Sequence, residues 1–166
     1  MGLFSKDIKS MDDLFDHTLR DVYYAEQQIE KSLPTMIDKA GDATLRSGFE
    51  EHLRQTRGHI ERLERVFAMR GKDPAGVRCQ AIDGILDEAD EISGEVEEKV
   101  LDAALVAAAQ AVEHYEITRY GTLIAWAKEL GHQDWASLLL QNLEEEKAAD
   151  AKLTQIAEAR VNRAAA

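Results

Sequence analysis

The sequence predicts an all-α fold, a bundle of four long helices, and three observations carry that expectation. Ala, Leu, Glu, Lys, Arg and Gln dominate the 166 residues, with only two prolines and ten glycines to interrupt them, so strong helix formers run on for long stretches. Apolar residues recur at helical spacing in four separate segments. Two of the gaps between these segments are short and one is long, which already constrains how the helices connect. At 45% apolar and 31% charged, the chain can build a core and is not of the disordered kind. Its length suits one domain covering residues 1–166.

The first helix is expected from about Met11 to Ala40. Ser10 with Asp13 three residues on forms a capping-box variant, Gly41 closes the helix, and Leu19, Val22, Ile29 and Leu33 make its stripe. Pro34 falls inside this pattern, removes the backbone bond to Glu30 and is expected to kink the last turns. The second helix runs from about Ala43 to Arg70. Asp42 stands at its N-cap, Gly71 at its end, and its stripe includes Leu45, Phe49, Leu53, Ile60, Leu63 and Val66. From Lys72 to Lys99 the pattern weakens. Pro74 and Gly76 break the chain, and Ala81, Ile82, Ile85, Leu86, Ala89 and Ile92 then mark one short extra helix. The third long helix spans about Val100 to Leu130, stopped by Gly131, and the fourth about Gln133 to Ala159, with Asp134 near its start. Short loops make the first and second, and the third and fourth, antiparallel neighbours. The long connection is a crossover that returns the chain along the bundle, which is the connectivity of a ferritin-like four-helix bundle.

Charge narrows the partners. Twenty basic against 32 acidic residues give a net charge of −12, so a nucleic-acid backbone would be repelled and no nucleic-acid partner is expected. The single cysteine, Cys79, can form no internal disulfide, which fits a reducing cytoplasm. The longest uncharged run, Ala103 to Val112, is half of the roughly 20 residues a membrane helix needs. No membrane partner is expected either. The opening Met1-Gly2-Leu3-Phe4-Ser5-Lys6 shows neither an export segment nor a myristoylation signal.

The chemistry emerges from polar residues that fall on apolar stripes, at about 100° of rotation per residue. Glu26 lies about 20° from Leu19 and Leu33 on the first helix. On the third, Glu113 lies about 20° from Val106 and Tyr120, and Glu116 about 20° from Ala109 and Leu123. On the fourth, Glu146 lies about 20° from Leu139 and Leu153, and Asp150 follows one turn later, about 20° from Leu143. The second helix contributes imidazoles instead: His59 lies about 20° from Val66, and His52 two turns earlier. No Lys or Arg occupies these inward positions. Burying one unpaired carboxylate costs several kcal/mol, and a convergence of like charges would protonate or take up cations. Carboxylate oxygens with imidazole nitrogens suit iron or manganese, and also zinc. A Glu from each of two helices with Glu and His one turn apart on the others is a known way for a bundle to hold two metal ions. Glu26, His52, His59, Glu113, Glu116, Glu146 and Asp150 are the expected ligands of two metal ions, iron or manganese. Tyr23 and Tyr120 fall one turn from Glu26 and Glu116, where they can hydrogen-bond ligand carboxylates. A solvated edge position for Asp150 and a hydrogen-bonded core position for His52 are the alternatives.

The stretches Asp21-Val22-Tyr23-Tyr24-Ala25-Glu26, Val112-Glu113-His114-Tyr115-Glu116-Ile117 and Leu143-Glu144-Glu145-Glu146-Lys147-Ala148-Ala149-Asp150 resemble the YciF-like bacterial family of ferritin-like proteins. The resemblance covers nearly the whole chain, including the crossover with Cys79 and the segment Arg119-Tyr120-Gly121-Thr122-Leu123. It implies a ferritin-like core, a homodimer, a dinuclear metal site and a link to bacterial stress responses. The chain departs from that family on the second helix, where relatives often carry Glu at the position of Gln55 and Gln at that of His59. Three functions follow as expectations: a redox protein whose iron or manganese reacts with peroxide or dioxygen, a metal-sequestering protein, or a structural bundle with a degenerate site.

Overall fold

The computed structural model describes residues 8–166, so the reading of Met1 to Lys6 lies outside the described residues. Helix α1 (Met11–Lys39) opens on the expected capping box: Ser10 Oγ accepts from the Asp13 backbone N–H at 3.1 Å, and Asp13 accepts from the Ser10 N–H at 3.0 Å. Pro34 lies inside the helix, which continues to Lys39. Helix α2 (Ala43–Met69) is capped by Asp42, which accepts from the backbone of Thr44 and Leu45. The turn between α1 and α2 is fixed from outside, because Asp102 accepts from the N–H groups of Gly41 and Asp42, each at 2.8 Å.

The crossover carries α3 (Gln80–Glu95) and leads into α4 (Glu98–Glu129) and α5 (Gln133–Ile156). It is tied to α1 where Val77 N–H donates to the Arg20 carbonyl and Arg20 Nε–H to that of Ala75. Gly71 and Gly131 end α2 and α4 with positive φ of 67° and 82°. At each end the following residue's N–H bonds back to a carbonyl of the last turn, Lys72 to Phe67 and His132 to Ala127. These are the paired bonds of a Schellman stop, which needs a residue at ease in the left-handed region.

Regular α-helix ends at Ile156, short of the expected Ala159, and a π-helical turn, Ala157–Val161, precedes the short α6 (Asn162–Ala165). Burial explains the change. Ile156 and Val161 are both buried, yet five residues of α-helix would displace them by about 140° around the axis. A wider turn, bonded i→i+5, brings Val161 back toward the Ile156 face.

Around the bundle the long helices follow the order α1, α2, α5, α4, with α3 laid against α4 and α1. Their apolar faces form two separate clusters. One contains Phe15 and Leu19 of α1, Leu63 and Phe67 of α2, Leu123 of α4 and Leu139 of α5. The other contains Ile29 and Leu33 of α1, Leu45 and Phe49 of α2, Leu105 of α4 and Ile156 of α5. Early α1 therefore shares an end with late α2, late α4 and early α5, so the crossover must travel the length of the bundle, as expected. Between the two apolar ends, each long helix turns a polar residue inward. Among the described residues no helix is long and apolar enough to cross a membrane.

Candidate metal centre

The layer between the clusters holds Glu26 of α1, His52 and His59 of α2, Glu113 and Glu116 of α4, and Glu146 of α5, all buried. Each sits at a stripe position that an apolar residue would otherwise occupy, so helical spacing alone carries it into the core. His59 Nδ1 lies 2.8 Å from Glu146 Oε1 and 3.2 Å from Glu26 Oε1. His52 Nε2 lies 3.3 Å from Glu113 Oε1 and 4.0 Å from Glu146 Oε2. These contacts lack hydrogen-bond alignment: both nitrogens of His52, Nδ1 of His59, Oε2 of Glu26 and Glu113, and both oxygens of Glu116 and Glu146 find no hydrogen-bond partner. Buried polar groups are nearly always partnered, so this concentration of unpartnered atoms requires an explanation. None of these four carboxylates is ion-paired with a lysine or arginine among the described residues.

The donor atoms fall into two groups. One combines His52, Glu113, Glu116 and Glu146, the other Glu26, His59 and Glu146, and in each the candidate ligand atoms all lie within 4.8 Å of one another. Glu146 belongs to both. Buried His and Glu groups of this kind can bind a metal, and oxygen with imidazole nitrogen is a donor set suited to iron, manganese or zinc. The unpartnered, convergent atoms therefore fit a cation.

Electrostatics follows the same geometry. Burial, reinforced by the charges of Glu146, Glu26 and Glu113, raises the Glu116 carboxyl well above its ordinary range. Burial likewise raises Glu146, with Glu26 and Glu113 adding to it. Burial also dominates at Glu113, which is pushed up to about 8. The two imidazoles diverge. Burial and the neighbouring His59 push His52 down to about 4, whereas at His59 burial is outweighed by the carboxylates, Glu26 foremost, and the ring is raised to about 9.

A supporting layer surrounds this cluster. His59 Nε2 lies 2.8 Å from Glu145 Oε2, and Arg62 grips Glu145 with two hydrogen bonds of 2.9 and 2.8 Å. With Nε2–H donated to Glu145, Nδ1 is the ring atom turned toward Glu26 and Glu146, and once its proton is lost it is the atom free to ligate, the arrangement in which ligating histidines are usually held. Tyr120 donates to Glu26 Oε1 and accepts from Asn142 Nδ2 at 3.0 Å. Arg62 also donates to Asn142 Oδ1 at 2.7 Å, so Tyr120, Asn142, Arg62 and Glu145 form one chain around the site.

Six of the seven expected ligands are thus brought together. Asp150 stands apart: it is half-buried, and its Oδ1 accepts from Gln110 Nε2 at 2.9 Å, with His114 Nε2 3.4 Å away. One turn beyond Glu146 the stripe has drifted by about 40°, enough to aim Asp150 at the α4 flank. Tyr23 also points elsewhere, donating to Glu64 on α2 at 2.9 Å. Sequence reasoning missed Glu145, Arg62 and Asn142. Asn142 was within reach, since it precedes Glu146 by four residues on the same stripe. Glu145 and Arg62 matter through a contact between helices that no single stripe reveals.

The chain matches the family described as a domain of unknown function, DUF892, over residues 10–166. The chain belongs to that family. Protein YciF of Escherichia coli strain K12 is 42% identical over 160 residues, covering 95% of this chain and 96% of its own. The crystal structure of YciF, described there as an E. coli stress protein, matches with a TM-score of 0.88 and covers 94% of this chain and 99% of its own. YcfI of Rhodopseudomonas palustris, described as a candidate structural protein, is 59% identical with a TM-score of 0.89, covering 92% of this chain and 98% of its own. A Xanthomonas campestris protein at 21% identity and a TM-score of 0.71, covering 93% and 94% of the two chains, shares the fold. Likeness to YciF confirms the all-α bundle as the fold of this DUF892 member.

Proposed function

We propose that this DUF892 member is a cytoplasmic stress-response protein that holds two metal ions, iron or manganese, and reacts with peroxide or dioxygen. The observation that carries this reading is the set of buried donor atoms without hydrogen-bond partners, gathered into two groups that share Glu146. Bound there, such ions would supply changes of oxidation state and Lewis acidity toward an oxygen ligand. The protein's own residues hold and tune the site. Glu146 stands between the groups, Glu26 is fixed by Tyr120, and Glu145 with Arg62 holds the His59 ring in one orientation. Surrounding apolar clusters keep bulk water from the carboxylates.

Metal quantification on protein purified without chelator, joined to anomalous diffraction at the iron and manganese edges, tests the assignment. Two metal ions per chain are expected, with faster peroxide loss for the loaded protein and none for Glu113→Ala. Equal peroxide loss by the two proteins would refute the redox reading. The assembly we propose is a homodimer, and its measured mass separates this reading from iron storage, because a dimer cannot enclose a mineral core.

A second reading, a structural bundle, draws support from His59. His59, raised to about 9, lies within 3.2 Å of Glu26 and Glu146, so its imidazolium charge offsets part of the buried negative charge, while the neutral His52 ring stands 3.3 Å from Glu113 Oε1. The description of YcfI points the same way. No bound transition metal after reconstitution would favour this reading.

A further inference from the structure

One end of the bundle contains a cavity of about 140 Å³, walled by Ile29 and Leu33 of α1, Phe49 of α2, Val112 of α4, and Leu153 and Ile156 of α5. Protein interiors pack at nearly crystalline density and hold few voids larger than a water molecule, so a space of this size within an apolar cluster is unusual. Most of its lining is apolar, with polar side chains such as Ser32, Gln55, His52 and Glu113 as the exceptions. An apolar cavity of roughly 150 Å³ in another protein stays dry and admits benzene.

Two further features make this space more than a packing fault. His52 and Glu113 form part of its wall, and both nitrogens of His52 and Oε2 of Glu113 are buried without hydrogen-bond partners. The lining also includes Gly48, inside α2, where glycine is costly relative to alanine. A Cβ there would stand 3.7 Å from Ile156 Cδ1 and 3.9 Å from Lys152 Cε, in ordinary contact. Sterics therefore do not exclude a side chain at this position; its absence leaves the edge of the cavity open.

We propose that this cavity binds a small uncharged apolar organic molecule, about the size of benzene or toluene, seated against His52 and Glu113. The lining offers an anion no net positive charge, because Glu51 stands beside Lys152 in it. The molecule's position beside bound metal rests on the function proposed above, whereas its binding does not.

Toluene titrated into the full-length protein, followed by amide and His52 ring resonances, tests binding directly, and xenon-pressurised crystals locate the space. Saturable shifts confined to the cavity lining are expected, with xenon between Leu33, Phe49 and Val112. Gly48→Leu and Ala149→Leu each place a side chain in the space and should weaken toluene binding by about tenfold or more. Cobalt(II) uptake by these variants, read from its absorption, should match that of the parent protein. Conversely, Glu146→Gln, which alters the one residue common to both donor groups and lies outside the cavity lining, should lose cobalt and keep toluene, so failure of the metal reading is distinguishable from failure of this one. No saturable shift and no xenon would overturn the proposal, as would plugged variants that bind toluene like the parent. A plugged variant with altered assembly mass, in a protein that never bound toluene, would assign the cavity to a second copy of the chain and overturn it too.

Discussion

Glu116→Leu gives opposite predictions for the metal-free and metal-loaded protein. Glu116 is wholly buried, neither of its oxygens has a partner, and burial raises its carboxyl well above the ordinary range. A buried polar group left unsatisfied costs about 1–3 kcal/mol. In chelator, leucine of similar bulk removes that cost, and at about 2–4 °C per kcal/mol for a domain of this size the variant should melt about 2–12 °C higher. Metal reverses the order of benefit. An ion present at about 100 times its Kd stabilises the folded parent by about 2.7 kcal/mol. That is about 5–11 °C in Tm at the same conversion. The variant lacks a ligand of the four-residue group and keeps only the group of Glu26, His59 and Glu146, so it should gain less than the parent. Differential scanning calorimetry of both proteins, with EDTA and with manganese or ferrous ion under anaerobic conditions, measures all four melting temperatures. If the variant melts below the parent in EDTA and both gain equally from metal, Glu116 is an ordinary core residue and the reasoning fails.

Proton uptake follows the raised carboxyls. Glu113, at about 8, has a higher pKa in the folded protein than unfolded, so its contribution to metal-free stability is complete below its ordinary range and is lost as pH rises through about 8. His59, raised to about 9, behaves likewise and loses its contribution as pH rises through about 9; His52, lowered to about 4, contributes above its ordinary range and loses that contribution as pH falls through about 4. Metal must displace the protons on Glu113 and His59, so calorimetric titrations at pH 7 in buffers of different ionisation enthalpy should show proton release and tighter binding toward pH 8. Arg62→Ala frees Glu145 from its two hydrogen bonds and loosens His59, and should weaken metal binding by about 10–100-fold without loss of the fold, as circular dichroism and metal titration would reveal. Asp150→Asn should leave metal affinity unchanged, because Gln110 already holds that side chain away from both groups; a large loss would place Asp150 at the metal after all.

Much of the fold was legible because its determinants are local. Ser10 and Asp13, Asp42, Gly71 and Gly131 mark helix ends through contacts within a few residues, and those ends fall where the sequence places them. The π-helical turn after Ile156 was not legible, since it answers to the distant cluster that buries Val161. The site divides along the same line. Glu26, Glu113, Glu116 and Glu146 stand on strongly apolar stripes, so rotation about one helix axis is enough to aim them inward. Tyr120 shows the limit: it lies one turn from Glu116 on its own helix, yet its hydroxyl reaches across the bundle to Glu26. Glu145 is more extreme, because its role depends on Arg62 and His59 of a neighbouring helix.

Helix α2 carries the departure from the ligand pattern that the family resemblance implies, with Gln55 in place of a carboxylate, which on sequence alone makes it the weakest wall of the site. Its geometry argues otherwise. His59 is the one candidate ligand whose second donor atom is fixed, through Glu145 to Arg62, and Arg62 stands one turn further along α2 itself. The same helix thus supplies both a ligand and, through α5, the clamp that orients it. His52, two turns earlier, has no such clamp: its nitrogens are unpartnered and it faces both the carboxylates and the apolar cavity. One face of α2 therefore presents a rigid imidazole to the group containing Glu26 and an unrestrained one to the group containing Glu113 and Glu116. A site built this way has two unequal halves. Ion uptake should accordingly occur in two separable steps, the tighter at the His59 side, and Arg62→Ala should merge them by weakening that step alone. Two resolved transitions in the parent and one in the variant, in a single calorimetric titration, are the expected result; a single transition in the parent would show that the halves are equivalent and that the clamp on His59 gives it no advantage.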